Sequence, residues 1–202
     1  MTMKKIYLIV IALIIFVGRP AKAQEAGSNL VSLQYSVSFS LGDLNDYIKK
    51  VSALGILIDY RFMANDNIYA GVELGGNLFY EKKDYASYTR ETMTLTGVQW
   101  RYVSTMPLIV NVGYVFNPAS DFSPYAGIGL GTLYHEVELD VGIYEFTQNQ
   151  WQFAVKPELG VIYKPMPEIG ILLGAKSYNG FKTDNSKAIN YIALNIGIVW
   201  IE

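Results

Sequence analysis

Leu30-Val-Ser-Leu-Gln-Tyr-Ser-Val-Ser-Phe-Ser-Leu-Gly42 alternates without interruption. Val31, Leu33, Tyr35, Val37, Phe39 and Leu41 are apolar, while Ser32, Gln34, Ser36, Ser38 and Ser40 between them are small or polar. A period of two is the mark of a β-strand with one apolar and one wet face. Strands of soluble proteins run about five or six residues, whereas a tilted strand crossing a bilayer needs about nine to eleven. This stretch meets the longer requirement, and the rest of the chain repeats its pattern.

Seven further runs follow. Leu54, Ile56, Ile58, Tyr60 and Phe62 share a face opposite Gly55, Leu57, Asp59 and Arg61. Ile68 to Tyr80 sets Val72, Leu74 and Tyr80 against Tyr69, Glu73 and Asn77. A run from about Val98 to Phe116 sets Trp100, Tyr102, Leu108, Val110 and Tyr114 against Gln99, Arg101, Thr105 and Asn111. Ala126, Ile128, Leu130 and Tyr134 oppose Gly127, Gly129, Gly131 and His135, and Trp151, Phe153, Val155, Leu159 and Val161 oppose Lys156 and Glu158. Ile169, Ile171 and Leu173 then oppose Lys176, and Ile192, Leu194, Ile196, Ile198 and Trp200 oppose Asn195. The count is eight.

The connections alternate between long and short. Gly42–Ser52, Glu81 to about Thr96, Leu139–Asn149 and Gly180–Lys187 are long, and Met63–Asn67, Asn117–Pro124 and Lys164–Glu168 are short. Transmembrane barrels have short periplasmic turns, longer outer loops and an even strand number. The aromatics of the apolar faces fall into two bands. Phe39, Tyr80, Trp100, Tyr102, Tyr134, Trp151 and Phe153 lie toward the long loops, and Tyr60, Phe62, Tyr114, Phe116, Tyr163 and Trp200 toward the short turns. Rings at both headgroup levels are what a bilayer selects. The expected fold is therefore all-β, an eight-stranded antiparallel up-and-down transmembrane β-barrel, in which the first strand pairs with the last.

The N-terminus obeys a different logic. Lys4-Lys5, the apolar Ile6–Val17 and Ala21-Lys22-Ala23 form a secretory signal peptide over residues 1–23, with cleavage between Ala23 and Gln24. Its apolar core is short of the roughly 20 residues that a spanning helix needs. The barrel domain then occupies 24–202. Removing the first 23 residues takes four bases and no acid, leaving 12 bases against 18 acids, a formal charge of −6. That balance argues against nucleic acid as a partner. The chain has no cysteine, so no disulfide framework supports it.

Asp59, Arg61, Glu73, Arg101, Lys156, Glu158 and Lys176 fall on the inward faces. They form either a plug of paired charges or the lining of a pore. An eight-stranded interior is just wide enough for side chains to fill, and lone charges in low dielectric are costly, so mutual pairing is favoured over an open channel. Gly127, Gly129 and Gly131 make room for bulky neighbours, since no helix follows to complete a phosphate loop. His135, the one histidine, reads as a solvated residue at a strand end. No cofactor, metal site or catalytic set is expected, and the chain is not expected to be an enzyme. Pro107 and Pro157 lack an N–H for a ladder, which predicts a bulge or a local break in pairing at each.

Tyr114-Val-Phe-Asn-Pro and Phe122-Ser-Pro-Tyr-Ala-Gly-Ile-Gly-Leu-Gly131 resemble the turn and glycine-rich strand of the outer-membrane β-barrel domain family, the small eight-stranded barrels like OmpA, OmpX and OmpW. With the signal peptide and the eight runs, the resemblance covers essentially the mature chain. It implies an integral outer-membrane protein of a Gram-negative bacterium, inserted by the barrel-assembly machinery and surrounded by lipid and lipopolysaccharide. Such chains commonly end on an aromatic residue, whereas this one ends Trp200-Ile201-Glu202. The expected role is structural or interactive, through surface-exposed loops around a largely filled lumen, in a monomer. The alternatives are a small porin-like channel for ions or small hydrophobic solutes, and a soluble periplasmic lipocalin-like barrel whose apolar faces point inward.

Overall fold

A computed structural model describes residues 27–90, 93–183 and 187–202, and the expected signal peptide and its Ala23–Gln24 cleavage point lie outside them. Eight strands close into an antiparallel barrel in chain order: β1 (Asn29–Leu41), β2 (Ser52–Met63), β3 (Ile68–Arg90), β4 (Met93–Val115), β5 (Phe122–Val141), β6 (Tyr144–Met166), β7 (Ile169–Gly180) and β8 (Asn190–Ile201). Closure is made by β1 against β8, in continuous register from Leu30↔Ile201 to Leu41↔Asn190. The strand with the strictest alternation is therefore the seam.

Along every strand the apolar phase faces out. Val110 and Leu159 are more than 60% exposed, and Leu33, Ile56, Val72, Leu108, Leu130, Ile171 and Ile196 share that surface. A lipocalin-like barrel needs the opposite arrangement, so the soluble reading is overturned. The expected aromatic bands lie on this outer wall. Tyr80 stacks on Trp100 and Tyr102, and Tyr134 meets Trp151, at one end, while Tyr114–Phe116 and Phe122–Tyr163 pair at the other.

Two of the expected long loops are instead strand. β3 and β4 continue to Arg90 and from Met93, and β5 and β6 run to Val141 and from Tyr144 around a tight turn at Gly142, whose φ is +64°. Beyond Asn77 of β3 and Ala154 of β6, no β2 or β7 partner remains. Four strands thus project from the rim as an open sheet. The reason is local: Val137-Glu-Leu-Asp-Val141 and Thr94-Leu-Thr96 keep β-forming residues in alternation, although their polar content disguises them as loop. A bulge interrupts β3 between Lys83 and Ala86, with Tyr85 at φ +38°. The connection after β1 contains a short helix, α1 (Gly42–Tyr47).

Each proline breaks one ladder and spares the other. Pro107 pairs with Leu133 in an unbroken β4–β5 ladder, yet the β3–β4 ladder skips from Leu74↔Leu108 to Asn77↔Thr105. Pro157 pairs with Ile128, yet the β6–β7 ladder skips from Val155↔Asn179 to Glu158↔Lys176. Register is kept on both sides of each gap. A missing N–H faces only one neighbour, so a break without a bulge is enough.

Candidate functional site

The inward phase converges on a layer of charge in the middle of the lumen. Asp59 and Arg61 come from β2, Glu73 from β3, Lys156 and Glu158 from β6 and Lys176 from β7, all buried. Three acids meet three bases. Arg61 Nη2 lies 2.7 Å from Asp59 Oδ2 and 3.4 Å from Glu158 Oε1. Lys156 Nζ bridges Glu73 Oε2 at 2.8 Å and Glu158 Oε2 at 2.9 Å, and Lys176 Nζ reaches Glu73 Oε2 at 2.5 Å. Two tyrosines complete the carboxylates' partners: Tyr69 donates to Glu158 Oε1 and Tyr178 to Glu73 Oε1, each at 2.6 Å. The Arg61 guanidinium lies between the Tyr69 and Tyr125 rings, 4.6 and 4.3 Å from their centroids.

β2 and β6, and likewise β3 and β7, stand four places apart in a ring of eight. The Arg61–Glu158 and Lys176–Glu73 pairs therefore cross the barrel from wall to wall. Of the two remaining diameters, the one from β1 to β5 carries the serines and the glycines. Ser32, Ser36 and Ser38 line one wall, and Gly127, Gly129 and Gly131 the other. Small side chains on that axis leave the space that the crossing pairs fill. A Cβ on Gly127 would stand 2.4 Å from Tyr69 Oη, and one on Gly129 would stand 2.4 Å from Ile109 Cγ2. These glycines seat the large side chains of neighbouring strands.

Apolar layers close both ends. Toward the short turns, Leu30, Met63, Tyr69, Val115, Ile162, Leu172, Val199 and Ile201 pack together. Toward the projecting sheet, Phe79, Val103, Ile109, Leu133, Tyr178 and Tyr191 pack under Leu44 and Ile48, with Tyr178 stacked on Tyr191 at 4.6 Å. The lumen is thus apolar, ionic and apolar in turn. The charged residues were visible in the sequence as polar members of the inward phase. Their partners Tyr69 and Tyr178, and the apolar closures, were not singled out, because an inward Leu or Tyr in an alternating strand carries no mark of which layer it joins.

Two expected placements are corrected. Arg101 does not join the charge layer: it sits at the mouth, where Nη1 donates to Tyr47 O at 3.0 Å, Nη2 to Gln99 Oε1 at 2.8 Å, and the guanidinium lies 4.6 Å from the Tyr47 ring. Register explains this, since Arg101 is ten residues above Asn111, which is opposite Gly71 in the ionic layer's part of the wall. His135 is not solvated but buried, paired in the ladders with Thr105 and Gln150. The projecting strands extend the wall past it. Burial also pushes the Tyr47 hydroxyl at the mouth up to about 12, against the pull of Arg101.

Asp59, Glu73 and Glu158 place carboxylate oxygens within 4.8 Å of one another, a spacing that could hold a metal ion. Here the same oxygens are held by Arg61, Lys156 and Lys176. Chemically the layer is a neutral, hydrogen-bonded cross-brace.

The sequence model of the outer membrane protein beta-barrel domain matches residues 9–201. No curated protein matches the chain. Among solved structures, Neisserial surface protein A is similar with a TM-score of 0.59 at 15% identity, over 86% of this chain and 98% of that one. Ail, the attachment invasion locus protein of Yersinia pestis, gives 0.54 at 11%, over 87% and 99%. OprG from Pseudomonas aeruginosa gives 0.51 at 15%, over 91% and 99%.

Proposed function

Because the chain belongs to the outer membrane protein β-barrel domain family, its place is the outer membrane, and we propose that it acts there as a closed, rigid wall presenting its projecting sheet to partners outside the cell. The observation that carries this reading is the pair of ionic bridges that cross the lumen, Lys176–Glu73 and Arg61–Glu158, between two apolar layers. A solute following the axis would have to pull apart an ion-pair network buried between two apolar layers, and breaking a buried pair costs about 3–5 kcal/mol. The role is accordingly one of structure and contact rather than conduction or catalysis.

The projecting sheet offers what the lumen does not. Its β3 edge is guarded by the bulge at Lys83–Ala86, by Lys82 and Lys83, and by the Lys49 N–H that donates to Glu81 Oε2 at 2.6 Å. Bulges and lysines are the usual protection of an open edge. The β6 edge from Tyr144 to Gln150 is straight and carries one charge, Glu145, whereas Phe153 O already accepts from the Phe181 N–H at 2.9 Å. An extended partner segment would be received there.

Planar bilayers containing the purified protein test the closed wall. The expected trace under applied voltage is flat. Reproducible single-channel steps would overturn this reading and restore the small-pore alternative.

A further inference from the structure

The upper end of β6 is an open edge whose two faces differ in character. Phe153 O accepts from the Phe181 N–H at 2.9 Å, so the backbone groups of Phe153 point away from β5. β5 and β6 pair without a bulge as far as Val141↔Tyr144, and successive residues of a strand turn their N–H and C=O to alternate sides. Glu145, Thr147 and Asn149 therefore present backbone groups outward, and among the described residues no strand pairs with them. A strand added to such an edge gains affinity from main-chain hydrogen bonds and specificity from alternate side chains. We propose that this edge receives an extended peptide segment in which basic and apolar residues alternate. The inference rests on the contact role of the projecting sheet and names the chemistry of its partner.

Charge selects the basic residues. On the outer face of the sheet, Glu136, Glu138 and Asp140 of β5 stand opposite Asn149, Thr147 and Glu145 of β6. The four carboxylates act on one another: burial and the charges of Asp140, Glu145 and Glu136 hold the Glu138 carboxyl above the usual range. Nearby bases do not cancel them. Lys82 lies beyond β4, with its ammonium 3.5 Å from Asp84. Lys187 lines the inner side, and Lys182 follows Phe181 at the foot of the edge. With both of these lysines counted, the carboxylates are still in excess. A segment added to β6 lies one strand spacing, about 4.8 Å, from Glu145 and two from the β5 acids, within reach of Lys or Arg side chains.

The inner face asks for the opposite character. Phe146 is half-buried against Tyr88, with ring centroids 5.4 Å apart, and stands opposite the buried Leu139. Residues paired across a ladder share a face. A strand beside Glu145, Thr147 and Asn149 is therefore best served by basic side chains outward, and beside Phe146 by an apolar one inward.

The test uses the full barrel in phosphatidylcholine nanodiscs, titrated with short capped peptides while the amide resonances of Thr147 and Asn149 are followed. Alternating Lys-Val is compared with alternating Ser-Val, with alternating Glu-Val, and with a block peptide that places all its Lys before all its Val. The expected result is saturable shifts with alternating Lys-Val, at an affinity at least about fivefold above the other three. Glu138→Gln combined with Glu145→Gln should weaken that peptide about threefold or more. Thr147→Pro removes an N–H that the barrel's own ladder does not use, so the fold should stand and the shifts at Asn149 should vanish. Equal binding of alternating Ser-Val would overturn the basic requirement and leave the edge as a contact surface. Absence of shifts with every peptide would overturn both. Equal binding of the block peptide, or an unchanged affinity in Thr147→Pro, would move the contact off the edge and overturn the proposal. The closed wall, tested by conductance, stands or falls separately.

Discussion

Lys176 Nζ lies 2.5 Å from Glu73 Oε2, although the two residues belong to strands on opposite sides of the barrel. A contact of that kind can form only when the whole ring has closed in register, because every intervening strand contributes to the distance. It ties the two walls together at the depth where neither end of the lumen can supply water. The same carboxylate also accepts from Lys156 and Tyr178.

Replacing Glu73 by Gln should therefore be severe although the side chain keeps its shape. Lys176 would retain only carboxylates at 3.9 Å, from Asp59 and Glu158, and the layer would carry a net positive charge. Leaving a buried ion uncompensated costs about 3–5 kcal/mol. Urea unfolding of the barrel in lipid vesicles, followed by tryptophan fluorescence, measures this. A loss below about 1 kcal/mol would mean that water reaches the layer.

Removing both partners should be gentler than the single losses imply. In a Glu73→Met, Lys176→Met double variant no net charge is left behind, and flexible apolar side chains fill the axis. Residues in one ion-pair network show coupling of about 0.5–3 kcal/mol, and a value at the upper part of that range is expected here. Additive losses in the same unfolding measurement would show that the contact contributes nothing of its own.

How much of this could be read from the chain depends on what a period of two can encode. It fixes which face each residue joins, so Asp59, Glu73, Lys156 and Lys176 were all legible as inward, and the β1–β8 seam followed from closure. It does not fix height. Arg101 has the same phase as Asn111 but sits far above the ionic layer, and only the register with β3 and β5 reveals it. Nor does it mark where a strand leaves the membrane. Val137-Glu-Leu-Asp-Val141 alternates as a strand should, yet its outward carboxylates belong to water rather than lipid, and a reading keyed to apolar outer faces ends the strand too early.

Gly127→Ala should disturb the charge layer without changing any charge. The new methyl would fall 2.4 Å from Tyr69 Oη and 2.9 Å from Val112 O, and the hydroxyl it displaces is the one that donates to Glu158. Overpacking of this kind costs about 1–3 kcal/mol. A Gly127→Ala, Tyr69→Phe double variant removes the hydroxyl that clashes, so part of the loss should return. Unfolding midpoints that are the same for Gly127→Ala and the double variant would mean the backbone contact alone sets the cost.

The three tryptophans report the depth of the barrel independently of the lumen. Trp100 and Trp151 lie on the outer wall at the base of the projecting sheet, where Trp100 stacks on Tyr80 and has the Lys82 ammonium 5.2 Å from its ring. Trp200 lies near the short turns, opposite Ile169 and Val31. An ammonium beside a lipid-facing indole has to stand at the edge of the hydrocarbon, because a lysine head stays with water while its stem lies along apolar surface. Indoles at the interface sit at the level of the headgroups, so the two levels should bracket a hydrocarbon layer of about 25 Å. Variants keeping one tryptophan each, with the others changed to Phe, would be folded into vesicles brominated either close to the glycerol or near the chain ends. Each single tryptophan should be quenched more strongly by the shallow bromine. Stronger quenching of Trp100 by the deep bromine would move the membrane boundary up the projecting sheet and place the Glu136, Glu138 and Asp140 carboxylates at the hydrocarbon edge, which their charge forbids. That outcome would overturn the assignment of the sheet to the exterior.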